Sequence, residues 1–158
     1  MPGALKLVFL LGALAALPAV CADSAIAPVT VCEVVRDMEM YQTKVVAVLG
    51  RYSFRQNGRW LAEQSCEDQP VSDPKLWLVE DAKDGPKTPS DFEIDAPALD
   101  RKWADMRKRT SLAKFRFGTP DYDRWAVVYG RVRKAEASKT AAADLVFRGD
   151  GVVVFLTQ

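Results

Sequence analysis

From Val31 to Cys66 the chain reads VCEVVRDMEMYQTKVVAVLGRYSFRQNGRWLAEQSC. The order is a capped helix, a strand, an Asn-Gly turn and a return strand, with a cysteine near each end. Thr30-Val31-Cys32-Glu33 has the form of a capping box: the Thr30 hydroxyl accepts from the Glu33 amide while the Glu33 carboxylate reaches back. Val31, Val34, Val35 and Met38 recur at helical spacing, which predicts a short helix to about Met40. Cys32 then falls in its first turn, where a thiol's pKa is lowered.

Val45 to Phe54 is the clearest strand. Val45 to Leu49 is apolar without alternation, as expected of a segment buried on both faces. Gly50 interrupts the run, and a glycine inside a strand marks a bend or bulge. Beyond it Arg51 and Ser53 alternate with Tyr52 and Phe54. Asn57-Gly58 is a hairpin signal because both residues tolerate positive φ. Arg59 to Gln64, carrying Trp60 and Leu61, is the return strand, and Cys66 ends it.

Working outward, residues 1–22 read as a signal peptide. Lys6 precedes an apolar run from Leu7 to Leu17 that is short for a bilayer span. Val20-Cys21-Ala22 then offers small residues for cleavage. The mature chain would start at Asp23 and form one domain over 23–158, with no transmembrane segment. Acylation of Cys21, giving a membrane-tethered lipoprotein, is the competing reading, although Val20 is a poor residue before a lipidated cysteine. The expected location is therefore exported, periplasmic or extracellular, in a bacterial envelope.

Removing residues 1–22 leaves Cys32 and Cys66. In an oxidising compartment two cysteines most simply pair with each other. A reactive redox pair is the other reading, but the spacing is far from Cys-x-x-Cys and no thioredoxin-like pattern surrounds it.

Downstream, Glu67 to Lys75 reads as a loop with Pro70 and Pro74. Leu76 to Glu80 is a third strand, with Trp77 and Val79 on one face. Residues 81–97, with Pro86, Pro89 and Pro97, read as a proline-rich surface insertion. Leu99 to Arg109 is helical, with Leu99, Trp103 and Met106 on one stripe. Asp100 to Arg116 holds seven basic and two acidic residues. That run is either an anion- or polymer-binding patch or a solvated face balanced by Asp84, Asp91, Glu93 and Asp95.

Arg124 to Arg133 is the second strong strand. Its Val127-Val128-Tyr129-Gly130-Arg131 echoes Ala47-Val48-Leu49-Gly50-Arg51. Two neighbouring strands bending at one barrel corner would explain the echo. Ala135 to Ala143, small and polar, reads as a loop or a marginal helical turn. Leu145–Phe147 and Gly151–Leu156 read as a final strand pair or one bulged strand, broken at Gly149-Asp150-Gly151.

These motifs, from Val31-Cys32-Glu33-Val34 through Tyr41, Lys44 to Gly50, Trp60-Leu61, Cys66 and Val127 to Arg131, together resemble exported bacterial OB-fold-like proteins of unknown function. The resemblance implies a mainly β fold: a small five-stranded Greek-key barrel with a short N-terminal helix and a helix between strands 3 and 4. It also implies a Cys32–Cys66 disulfide. It transfers no catalytic residue.

Chemistry is sparse. The chain contains no histidine, which excludes His-based triads and removes the commonest metal ligand. Asp121 and Asp123 flank Tyr122 and would serve either a cation or a turn. An enzyme here would be a small envelope enzyme using carboxylates; no cofactor, metal set or catalytic group is named. The favoured reading is a non-catalytic binding or interaction module. Its expected ligand face is Arg51, Tyr52, Phe54, Trp60 and Arg131, aromatic and basic residues of the kind OB barrels use. The alternative is that the aromatics fill the core. The formal net charge is +1, and the mature chain, without Lys6, is neutral. An envelope protein, polymer or small ligand is therefore expected rather than nucleic acid.

Overall fold

The computed structural model describes residues 25–67, 69–90, 92–113, 121–135, 141–149 and 153–157. The segment read as a signal peptide and Cys21 lie outside them, as do most of the Ala135–Ala143 loop and the Asp150-Gly151 break.

The long strand β2 (Val45–Arg55) is the centre of the sheet. It follows β1 (Val29–Thr30) and the short helices α1 (Val31–Arg36) and α2 (Met38–Tyr41). The capping box forms as its sequence requires, with Glu33 N donating to Thr30 Oγ1 at 3.2 Å and Thr30 N to Glu33 Oε2 at 2.7 Å. Thr30→Ala removes that cap, and thermal or urea unfolding should show a loss of about 1 kcal/mol. Then come β3 (Gly58–Ala62), a small hairpin of β4 (Ser65–Cys66) and β5 (Gln69–Ser72), and β6 (Lys75–Glu80). Helix α3 (Ala96–Arg109), β7 (Tyr122–Lys134), β8 (Ala143–Phe147) and β9 (Val153–Phe155) complete the order.

Five strands close a barrel in the circuit β2-β3-β6-β8-β7 and back to β2. Every pair is antiparallel except β6–β8. This is the Greek-key arrangement of an OB-like barrel, with α3 between its third and fourth strands. β9 continues the line of β8 along β7 after a break, pairing Val153 with Val128 where β8 had paired Val146 with Arg131.

Strand alternation divides the apolar residues into two cores. Val48, Tyr52, Leu61, Leu76, Ala126, Val128, Leu145 and Phe147 point into the barrel. Val31 and Val34 of α1 join them, backed by Met38 and Tyr41, so the N-terminal helices close the end where β2 begins. Ala47, Leu49, Trp125 and Val127 point outward and are covered by Leu99, Trp103 and Met106 of α3. The apolar run from Val46 to Leu49 thus serves two cores at once.

Several expectations change. The two glycines do not share a corner: antiparallel pairing sets Gly50 opposite Ala126 and Gly130 opposite Val46. Each instead permits a close approach. A Cβ on Gly50 would lie 3.1 Å from Val31 Cγ2, and one on Gly130 would lie 2.8 Å from the Val146 carbonyl. In the hairpin only Gly58 has positive φ, at 131°, and it begins β3 rather than completing the turn. Trp77 lies against it, leaving 2.5 Å for any Cβ. The expected 67–75 loop holds β5, which pairs Ser72 with Ser65. Most of the described residues of 81–97 are exposed, but the stretch is anchored at several points. Asp81 accepts from the Lys83 and Asp84 amides at 2.7 and 3.1 Å. Ile94 bridges to Ile26, and Phe92 joins the outer core. Among the described residues no helix is long and apolar enough to cross a membrane.

Candidate binding site

Ladder register decides which of the expected ligand-face residues can act together. Tyr52 and Phe54 share the inward face of β2, as alternation requires. Trp60 pairs across the ladder with Ser53, so it lies on the opposite, outer face. There it stacks on Trp77 with centroids 5.5 Å apart, and Lys75 sits over its ring. Arg51 also faces outward, donating to the Ser111 carbonyl at 3.2 Å and pairing with Asp73 at 3.4 Å. Arg131 stands at the other end of the barrel, opposite Val45. The five residues therefore do not form one face.

What Tyr52 and Phe54 join is an aromatic mouth at the barrel end opposite α1. Tyr52 stacks on Tyr122 of β7 at 6.0 Å, and Phe54 stacks on the same ring at 5.5 Å. Phe155 of β9 meets Tyr52 edge-on at 5.4 Å. Arg124 lies over both Tyr122 and Phe155, at 5.7 and 5.6 Å. Arg59 spans the far wall, bonded to Glu80 and stacked 5.0 Å from the Phe147 ring. Tyr52 is only 4% exposed, whereas Phe54 and Phe155 are 36% and 41% exposed. The mouth thus has a filled floor and a rim of two open rings, one of which, Phe155, carries the Arg124 cation over its face.

Polar groups in the mouth are tuned by that packing. Burial, with Tyr52 beside it, raises the Tyr122 phenol above its ordinary pKa. Burial works against the Arg59 charge, but contacts with Glu80 and Tyr52 outweigh it and hold the guanidinium above its usual value. Both groups stay in their ordinary protonation states at neutral pH. Such a surface can stack on a ring and offer a cation to an anionic substituent.

Carboxylate chemistry is otherwise committed to structure. The Asp123 side chain is covered, takes Arg55 at 2.5 Å and accepts from the Ala113 amide at 2.8 Å. Among the described residues no three Cys, Asp or Glu side chains gather where they would hold a metal. Tyr122, Arg124 and Phe155 escape sequence reasoning because they reach the mouth only through the β2–β7 and β7–β9 registers. Alternation marked Tyr52 and Phe54, and it was the only local signal available.

A second feature lies on the other side of the molecule. Cys32 and Cys66 form a disulfide with Cα atoms 5.5 Å apart. It lines a cleft between α1 and α3 that also holds Glu33, Lys102 and Arg109. Glu63 is wholly buried beneath, accepting from the Cys32 amide at 2.9 Å with Arg109 Nη1 3.5 Å away. Burial drives its carboxyl above the ordinary pKa, against the opposing pull of the Cys32 amide and Arg109.

Compared with protein-family models, curated proteins and solved structures, the chain matches none.

Proposed function

We propose that this chain is an exported, non-catalytic binding module of the cell envelope. It holds a ring-bearing ligand, such as an acidic sugar of an envelope polymer, at the aromatic mouth. The observation that carries this reading is the pair of open rings, Phe54 and Phe155, on a packed Tyr52–Tyr122 floor, with Arg124 over Tyr122 and Phe155. Barrel mouths are favoured ligand sites, and aromatic rings with a basic edge are what OB barrels use for polymers. The disulfide and the apolar leader support export.

NMR titration of the mature chain with soluble acidic glycan fragments tests the site. Shifts should cluster at Tyr52, Phe54, Tyr122 and Phe155. Phe54→Ser combined with Phe155→Ser should weaken binding by about tenfold or more while leaving the fold intact, since each ring is open to water and a stacked ring is worth ~1–3 kcal/mol. Binding that survives the double variant would move the site elsewhere. Intact mass after expression with an export pathway tests the compartment: Asp23–Gln158 less two hydrogens is expected. A chain starting at acylated Cys21 would instead make it a tethered lipoprotein.

A further inference from the structure

We infer that the Cys32–Cys66 bond is an exchange site, opened in the folded protein by an external dithiol that enters the cleft between α1 and α3. Two sets of observations carry this, independent of the aromatic mouth.

The first is directional access. Both cysteines line the cleft, but Cys66 is 8% exposed while Cys32 is more open. An incoming thiolate therefore meets the Cys32 sulfur. Arg109 straddles the other sulfur's residue: Nη1 donates to the Ser65 carbonyl at 3.3 Å and Nε lies 3.4 Å from Glu67 Oε1. The Ser65 carbonyl also lies 3.5 Å from Cys32 Sγ, where it can accept from the thiol once formed.

The second is that the bond is not the only tie across the cleft. Cys32 N is held by Glu63, and Glu33 of α1 is bonded to Lys102 of α3 at 2.5 Å. Val31 and Val34 are buried in the barrel, and Gln64 N donates to Thr110 Oγ1 at 3.0 Å on the Cys66 side. Opening the bond therefore leaves both walls in place.

The chemistry balances as an ordinary exchange. One thiolate of the dithiol attacks Cys32 Sγ, the S–S bond breaks, and its electron pair leaves on Cys66. The second thiolate then attacks the partner sulfur of the mixed disulfide and releases Cys32. The partner becomes a disulfide, and two protons end on Cys32 and Cys66.

Dithiothreitol and glutathione are the probes, used on the oxidised mature chain without denaturant, with alkylation, peptide mass mapping and near-UV circular dichroism as readouts. The expected result is that both thiols become alkylatable while the near-UV spectrum is kept, and that glutathione is trapped on Cys32 rather than Cys66. A bond that opens only as the near-UV signal is lost would overturn the proposal. So would glutathione trapped on Cys66.

Discussion

Replacing Cys32 and Cys66 together by serine should lower the free energy of unfolding by about 3–4 kcal/mol, on the chain-entropy account of a loop this long. The cysteines are 34 residues apart, and the loop they close contains β2 and β3, two strands of the barrel. Without the bond, the unfolded chain regains the freedom to separate α1 from the β4–β5 hairpin. The native contacts across that gap, Cys32 N to Glu63 and Glu33 to Lys102, are kept in the variant. The change should therefore appear as a lower urea midpoint with a cooperative transition, from a state that still shows barrel circular dichroism. Loss of less than about 1 kcal/mol would mean that the unfolded chain already holds these segments together.

Glu63 is the second position of large effect. Glu63→Ala should cost about 3 kcal/mol, because it empties a buried site, strips the Cys32 amide of its acceptor and removes one of the carboxylates that face Arg109. Glu63→Gln keeps the shape and one acceptor and should cost less. The pH dependence separates the two roles of the carboxyl. Its pKa in the folded state is raised above the ordinary 4.5, chiefly by burial. Between the unfolded and folded values the native state binds more protons than the unfolded chain, so stability falls as pH rises through that window and is level above it. Stability measured by urea titration across the window should decline in the wild type, and that part of the decline should vanish in Glu63→Gln. An equal slope in both proteins would show that the charge of Glu63 is balanced in the fold.

Neither residue announced its environment equally. Cys32 and Cys66 could be paired from counting alone, on the reading of residues 1–22 as a signal peptide. Glu63 sits in a polar stretch, Glu63-Gln64-Ser65, and reads as an ordinary surface residue. It is buried because the chain leaves β3 there and passes under Cys32 and Thr30, a contact between segments 31 residues apart. The few anchors of the 81–97 stretch were illegible for a related reason. Its prolines and charges describe a surface, but Gly85 and Pro86 are covered and Phe92 and Ile94 reach the outer core. Few apolar residues suffice when each meets a partner from another element.

What the sequence determined by itself is whatever depends on neighbours within a few residues. The Thr30 cap, the apolar stripe of α3, the alternation of β2 beyond Gly50 and the presence of a hairpin between β2 and β3 are all of this kind, because capping, helical period and pleat are local geometry. The strand order was also within reach, since three strands, a helix and later strands restrict how a small barrel can close. Tertiary structure alone decided which side chains meet. Registers such as Tyr52 opposite Arg124 and Ala126 opposite Phe155 assemble the aromatic mouth from three strands, and they send Trp60 to the other face. The physical reason is the two-residue period of a strand: a shift of one residue in pairing moves a side chain to the opposite surface, and only the packed barrel selects the register.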